Sequence, residues 1–177
     1  MEETRLQISL ILIGYSLNFI LGIAGAFFEA ESYTQMICWQ FGDASAIMAS
    51  VLTSRYIGTK GKHIVPSGFI LLGIAYGVSL ASSNFNGINE EKMAAVFLPL
   101  LPAMLLISIG TYFPLWIRVL TFLACVPFLI IYFNVITGTY SFDNPSNSIG
   151  YSGIQLLGII WSVYIWTTIR NSNQQKA

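Results

Sequence analysis

The chain has 177 residues and a net charge of zero, with 55% hydrophobic and 9% charged residues, and its mean hydropathy is +0.68. Soluble domains carry about 25% charged residues, so this composition excludes a soluble globular domain. No basic cluster or arm suggests a nucleic-acid partner. Because continuous apolar runs of about twenty residues favour helices over the alternating strands of a membrane barrel, we predict an all-α, polytopic membrane protein.

Six transmembrane helices, joined by short polar links, form one domain in this prediction. They cover about residues 7–28, 34–57, 64–82, 92–111, 115–137 and 149–169, with a polar tail at 171–177. A cleaved signal peptide is the alternative for the first span, but its apolar core is long and Glu2 and Glu3 precede it. We expect Pro99 and Pro102 to bend or break span 4, and Pro127 to interrupt span 5.

The lysines and arginines predict the orientation. If six spans begin in the cytoplasm, only Lys92 lies outside, and an odd number of spans would spoil this bias. The cations that then lie inside are Arg5, Arg55, Lys60, Lys62, Arg118, Arg170 and Lys176. We therefore predict a multi-pass protein of the plasma (inner) membrane, surrounded by the lipid bilayer, with both termini cytoplasmic.

Span 2 carries an acid, Asp43, near its middle. Insertion scales put an ionisable residue at the bilayer centre at about 2.5–3.5 kcal/mol, so Asp43 should face protein or water. Ala46, Ser50 and Thr53 follow it at helical spacing, which predicts an interior face. One interpretation of Asp43 is a solute contact or proton-dependent switch inside a pore, and the other is a buried acid hydrogen-bonded to a neighbour.

Other polar side chains at depth either line the same path or join helices by hydrogen bonds, and Trp39 either forms a wall of the path or packs in the core. Besides Asp43, the pore or solute-binding candidates are Trp39, Asn18, Asn134, Gln155 and Ser50.

The gating candidates are the acids of the first link and one cation. Glu29 and Glu31 mark the outer mouth between spans 1 and 2, where they are either solvated link residues or an acid vestibule that senses pH. Arg118 lies about one turn into span 5, where it either reaches the cytoplasmic face or pairs with Asp43. Small residues permit close helix approach, and the packing candidates are Gly73, Gly77, Gly153 and Gly158.

Motifs for enzymatic chemistry are missing. His63, the single histidine, lies in a predicted loop, and no lysine lies inside a predicted span, since Lys92 stands at the very start of span 4. The sequence has no phosphate-binding loop, no serine-hydrolase motif and no carboxylate cluster fit for a metal. We therefore expect no enzymatic activity, no cofactor and no metal.

Two families of small six-span proteins resemble this chain. LILIGYSLNFILGI (10–23), TQMICWQFGDASAIM (34–48) and the region from GFILLGIAYGVSL to FLPLLPAML (68–105) are similar to the amide and acid-gated urea channel family. RYIGTKGK (55–62) and IRVLTFLACVPFLIIYFNVITG (117–138) resemble the acetate uptake transporter family. The first resemblance implies a homo-oligomeric ring, such as a hexamer, with a narrow aromatic-lined pore inside each protomer.

These observations favour a channel or transporter for a small-molecule solute or a proton, with Asp43 inside the bundle. The alternative is a non-transporting accessory subunit, assembly factor or sensor, in which Asp43 pairs with a partner or an internal hydroxyl. Short loops leave little surface for soluble partners, which favours transport. The identity of the solute, the coupling ion, and the choice between channel and carrier stay open.

Overall fold

A computed structural model describes residues 2–29, 32–83, 90–141 and 144–174. Within these ranges the chain is all-α. The helices are α1 (Glu2–Ala26), α2 (Tyr33–Gly58), α3 (Ile64–Ser83), α4 (Glu90–Ile109), α5 (Leu115–Leu123), α6 (Cys125–Ile136) and α7 (Pro145–Gln174). Since α5 and α6 are consecutive halves of one apolar run, the helices match the six predicted segments in number and order.

Side-chain caps fix two helix starts. The Gln35 backbone amide donates a hydrogen bond of 3.2 Å to the Ser32 hydroxyl ahead of α2. Ahead of α7, the Ser146 amide donates to the Asn144 side-chain oxygen at 2.9 Å, and Pro145 occupies the first helical position, where proline is favoured. α7 starts earlier than predicted and runs to residue 174. The first part of the predicted polar tail is therefore helical, because residues 171–174 include no glycine or proline.

The prolines act differently in the two spans that contain them. The break between α5 and α6 lies at Ala124, next to Leu123, whose carbonyl loses its helical donor because Pro127 has no N–H. This interruption of span 5 is confirmed. α4, in contrast, continues through both Pro99 and Pro102, so of the two predicted outcomes, a bend or a break, the break does not occur. Packing of α4 along α3 and α5 holds that helix together despite two missing amides.

The helices form a ring in chain order. α2 packs between α1 and α3, α4 packs against α3 and against the α5–α6 pair, and α7 closes the ring by contacting both α6 and α1. Short links between neighbours make successive helices antiparallel.

Aromatic side chains fill one level of the interior of the ring. Trp161 of α7 is fully buried. Its ring centroid lies 5.1 Å from that of Phe69 and 6.3 Å from that of Tyr15, both edge to face. Its indole N–H donates a hydrogen bond of 3.2 Å to the hydroxyl of Thr121 on α5. One side chain thus connects α1, α3, α5 and α7.

Four of the helices are long and apolar enough to cross a membrane: Glu3–Ala26, Ile64–Ser82, Leu115–Ile136 and Pro145–Arg170. α2 is not among them because Asp43 and many small polar residues lower its hydropathy. For α4, the part whose side chains the structure describes is the shorter apolar segment Ala95–Ile109. Within the described ranges, the six helical segments, with α5 and α6 taken as one, thus include four that meet the length and hydropathy expected of a membrane span.

Among the predicted packing glycines, the structure separates tight contacts from open ones. A Cβ on Gly158 would lie 2.6 Å from the Tyr15 ring, whereas one on Gly73 would make an ordinary 3.6 Å contact with Ser50. Gly153 has only a 4.0 Å neighbour, and Gly77 has none within 4 Å. The closest backbone approach on α3 is instead at Gly68, whose added Cβ would meet the Ala103 carbonyl oxygen at 2.8 Å.

This difference predicts opposite effects for two alanine substitutions on α3. Gly68→Ala should lower the free energy of unfolding by about 1–3 kcal/mol, because α4 must move away from the new methyl group. Gly77→Ala meets open space and should be neutral or stabilising by up to about 1 kcal/mol, as expected from helix propensity. Unfolding by SDS titration in mixed micelles measures both, and equal losses would contradict the described α3–α4 contact.

Candidate functional site

The interior face predicted for α2 is confirmed. Ala46, Ser50 and Thr53 have no exposed surface, and Gly42 is buried on the same face. Small side chains here let α1 approach closely, since a Cβ on Gly14 would lie 2.8 Å from the Ser45 carbonyl oxygen. The spacing of small residues thus places Asp43 at the edge of a tightly packed α1–α2 contact.

Asp43 meets polar groups from neighbouring helices. Its carboxyl is partly buried and has the Ser79 hydroxyl of α3 as its hydrogen-bond partner. Tyr76 of α3 and Tyr151 of α7 lie close enough to interact electrostatically with it. The Tyr76 hydroxyl also donates a 3.5 Å hydrogen bond to the side-chain oxygen of Asn18, which is buried on α1.

We refer to Asn18, Asp43, Tyr76, Ser79 and Tyr151 as the Asp43 cluster. It joins α1, α2, α3 and α7. Because an unpaired polar group in an apolar interior costs several kcal/mol, hydrogen bonding among members from different helices also fixes how these helices pack.

A small cavity adjoins the Asp43 cluster. Tyr76, Ser79 and Tyr151 contribute to its wall, together with apolar side chains of α3, α4 and α7. The volume open to the centre of a water molecule is about 10 Å³, which is at the lower limit for holding one water. Three members of the cluster therefore adjoin a space about the size of one water molecule, whose exposed wall is apolar.

Ser50, another predicted site residue, takes part in a second buried contact. Its hydroxyl lies 3.1 Å from the Tyr15 hydroxyl, and both side chains are buried. Ser50 follows Asp43 by two helical turns, so this contact lies further toward the C-terminal end of the same face of α2.

Trp39 and Gln155 meet α1 near its C-terminal end. The Trp39 indole N–H donates a 3.4 Å hydrogen bond to the Gly22 carbonyl, and its ring packs where Gly25 leaves room. The Gln155 amide of α7 lies directly against Gly22. Trp39 is 39% exposed, so it covers the flank of the α1–α2 contact one turn from Asp43.

Asn134 is not brought to this group. It lies on α6, which packs against α4, α5 and α7 and, within the described ranges, not against α1, α2 or α3. Its backbone carbonyl accepts a 2.9 Å hydrogen bond from the Thr139 amide at the end of the helix.

Of the predicted gating acids, Glu29 is exposed just after α1, and Glu31 lies outside the described residues. Arg118 caps the end of α4. Its guanidinium donates hydrogen bonds to the carbonyls of Ser108, at 2.8 Å, and Ile109, at 3.0 Å. Since α5 does not pack against α2 within the described ranges, the structure places Arg118 on these carbonyls and away from Asp43.

Removing this cap should cost stability. Arg118→Gln should lower the free energy of unfolding by about 1.5–3 kcal/mol, the usual contribution of hydrogen bonds to a charged group, because two carbonyls at the C-terminal end of α4 lose a cationic donor. Arg170→Gln, at an exposed position of α7, is the matched control and should change it by no more than about 0.5 kcal/mol. SDS-titrated unfolding measures both, and a loss in the control equal to that of Arg118→Gln would contradict this role.

The sequence interpretation missed four members of these polar contacts: Tyr15, Tyr76, Ser79 and Tyr151. A signal was available for the tyrosines, because Tyr15 and Tyr76 stand well inside their helices, away from the ends where interfacial aromatics gather. Ser79 carried no such signal.

In the part of the chain that the structure describes, no three His, Cys, Asp or Glu side chains come together as metal ligands. The described part of the chain is all-α and contains several apolar helices of membrane-spanning length. It is therefore compatible with a membrane protein. Comparisons of the chain with protein families, curated proteins and solved structures gave no match.

Proposed function

We propose that this chain is a six-span membrane protein that moves a small solute or a proton through the interior of its helix ring. In this proposal the Asp43 cluster lies on the path, and the Asp43 carboxyl acts as polar contact or proton-dependent switch. The observation that carries the proposal is the Asp43 cluster itself, in which an acid, an amide and three hydroxyls from four helices come together beside a water-sized cavity. Of the cluster, Tyr76, Ser79 and Tyr151 line that cavity. Buried ionisable groups in membrane helices commonly mark such paths.

Outward-facing apolar side chains support placement in a bilayer. On α5 and α6 the exposed large residues include Leu115, Trp116, Phe122, Phe133 and Ile136, each more than half exposed. A face this apolar needs a cover, and lipid tails provide one along a whole helix.

The cations support an orientation with both termini in the cytoplasm. Arg5 lies near the start of α1, Arg55 near the end of α2, and Lys60 and Lys62 in the α2–α3 link. Arg118 and Arg170 lie near the start of α5 and the end of α7. In a ring of antiparallel helices these positions share one end, which the positive-inside rule places in the cytoplasm.

The resemblance to urea channels and acetate transporters guides the choice of test solutes, and a homo-oligomer is part of the proposal. The test measures flux of urea, acetamide, acetate, formate and protons into proteoliposomes. It is made at about pH 5 and about pH 7.5, so that a carboxyl that acts as a switch would be compared in different states of protonation. The proposal expects at least one flux above that of empty liposomes.

No flux of any of these from protein shown to be folded would overturn the proposal in favour of an accessory subunit. Oligomeric state in mild detergent gives a second measurement. A uniform ring agrees with a channel, whereas a monomer that copurifies with another membrane protein agrees with the subunit interpretation.

A further inference from the structure

Buried hydroxyl groups continue along α2 from the Asp43 cluster toward the C-terminal end of the helix. Ser50, Thr53 and Tyr56 repeat at steps of three along one face of the helix, and all three are buried. At 1.5 Å per residue, the distance along α2 from Asp43 to Tyr56 is about 20 Å. This is more than half the thickness of a bilayer core, which is about 30 Å.

Two more hydroxyl groups extend this line, one from α1 and one from the link after α4. The Tyr15 hydroxyl of α1 lies 3.1 Å from that of Ser50 and beside that of Thr53. At the end of α2, Tyr56 is hydrogen-bonded to Tyr112 in the link after α4. Tyr15, Ser50, Thr53, Tyr56 and Tyr112 together are called the hydroxyl row.

The hydroxyl row adjoins the Asp43 cluster through tyrosines. Tyr15 and Tyr76 lie close enough to interact electrostatically, and Tyr76 is bonded to Asn18, three residues after Tyr15 on α1. At its other end the row reaches the surface, since Tyr112 is only partly buried. Burial and the adjacent Tyr56 raise the pKa of Tyr112, so this residue keeps its hydroxyl proton at neutral pH.

One member of the hydroxyl row lacks a bonded neighbour. The Thr53 side-chain oxygen is fully buried and has no hydrogen-bond partner among the residues that the structure describes. A buried hydroxyl left without a partner costs about 1–3 kcal/mol, and an ordered water is the usual remedy. Thr53, whose hydroxyl lies beside that of Tyr15, is therefore the position in the row at which a bridging water would relieve this cost.

The level of the ring occupied by the hydroxyl row leaves little room for a larger molecule. Tyr15 packs edge to face on Trp161, which in turn packs on Phe69. A molecule the size of urea would have to displace these aromatic rings. A proton needs only a chain of oxygen atoms in hydrogen-bond reach.

We infer that the species conducted is the proton, and that the hydroxyl row carries it between the Asp43 cluster and the end of the ring where the cations lie; this rests on the proposed transport function. Asp43, faced by Ser79 and Tyr76 of α3 and Tyr151 of α7, takes up a proton from the side of the cavity and releases it toward Tyr15 through water. Each hydroxyl accepts a proton on its oxygen as it donates its own to the next oxygen. One proton leaves at Tyr112 for each that Asp43 takes up, and no other bond is made or broken.

The test is proton uptake into proteoliposomes under a potassium diffusion potential set with valinomycin, followed by an internal pH dye. Thr53→Val keeps the side-chain volume and removes the hydroxyl, and Tyr15→Phe does the same for the ring. Both should lower proton uptake by on the order of tenfold to a hundredfold. Thr53→Ser, which restores a hydroxyl, should stay close to wild type.

Thr168→Val is the matched control, because the Thr168 hydroxyl is exposed and bonded to the Tyr164 carbonyl of its own helix. It should leave proton uptake unchanged. All variants are compared after confirming equal folding by circular dichroism and gel filtration, so that the rescue by Thr53→Ser separates a relay role from misfolding.

The outcomes distinguish this inference from the proposed function. Proton uptake that is normal in both Thr53→Val and Tyr15→Phe would overturn the hydroxyl row while leaving transport in place. Solute flux without proton uptake in the wild type would overturn the whole of this inference and leave the proposed transport function in place. Neither solute nor proton flux in the wild type would overturn the proposed function and this inference together.

Discussion

Asp43→Asn is expected to lower flux by about tenfold to a hundredfold and to remove the dependence of flux on pH. Asparagine has nearly the same shape as aspartate and keeps a hydrogen-bonding group beside Ser79, but it cannot gain or lose a proton. The loss of one charge-assisted hydrogen bond, about 1.5–3 kcal/mol, corresponds to a rate change of this size. Flux at about pH 5 and about pH 7.5 measures both effects.

Glu3→Gln is the matched control for this substitution, because it also removes one carboxyl. Glu3 is exposed in the first turn of α1, remote in sequence from the Asp43 cluster, so its replacement should leave flux and pH dependence unchanged. A wild-type pH profile in Asp43→Asn would contradict a switch at this carboxyl. Similar losses in both variants would contradict a path at the Asp43 cluster.

Trp161→Ala should produce the largest loss of stability in the chain, about 3–5 kcal/mol, as is typical for removing a buried tryptophan. The Trp161 side chain connects four helices. Its ring packs against the rings of Tyr15, Phe69 and Phe113, and its indole N–H donates a hydrogen bond to Thr121. The variant leaves a cavity at the centre of the ring and a buried Thr121 hydroxyl without its donor. SDS-titrated unfolding in mixed micelles measures the loss.

Trp166→Ala removes the same side chain from the same helix at a position that is 40% exposed. It should change the free energy of unfolding by no more than about 0.5 kcal/mol. If the two tryptophan variants lose equal stability, the aromatic level of the ring does not hold the bundle together as described.

The apolar runs and the period of small residues were enough to predict six helices and the interior face of α2. An apolar run of about twenty residues has few other structures available to it. In the same way, the penalty for exposing Asp43 to lipid restricts that side chain to protein or water. These are local properties of the chain, and the structure agrees with them.

Tyr76 and Tyr151 could not be assigned to Asp43 from sequence, because a tyrosine can serve as interfacial anchor, core aromatic or buried hydroxyl. Which of these applies depends on the neighbour that the ring of helices supplies. Asn134 shows the converse, since a polar residue at depth was grouped with Asp43 although α6 lies against other helices. Long-range packing, and not residue type, decides both cases.

The prolines show a further limit of local inference. Pro127, Pro99 and Pro102 each lack the backbone N–H that a helix needs, yet only Pro127 lies next to a helix break. α4 packs against α3 over much of its length, so tertiary contacts outweigh the local penalty of about 3 kcal/mol per proline.

The most direct measurement of the central claim, that the path passes the Asp43 cluster, is chemical modification at position 79. Ser79→Cys is made in a chain whose two native cysteines are replaced by alanine, and a small water-soluble thiol reagent is added to proteoliposomes. Ser67→Cys, exposed at the start of the same helix, is the control. The account predicts that modification at position 79 blocks flux and modification at position 67 does not. Full flux after modification of the thiol at position 79 would contradict it.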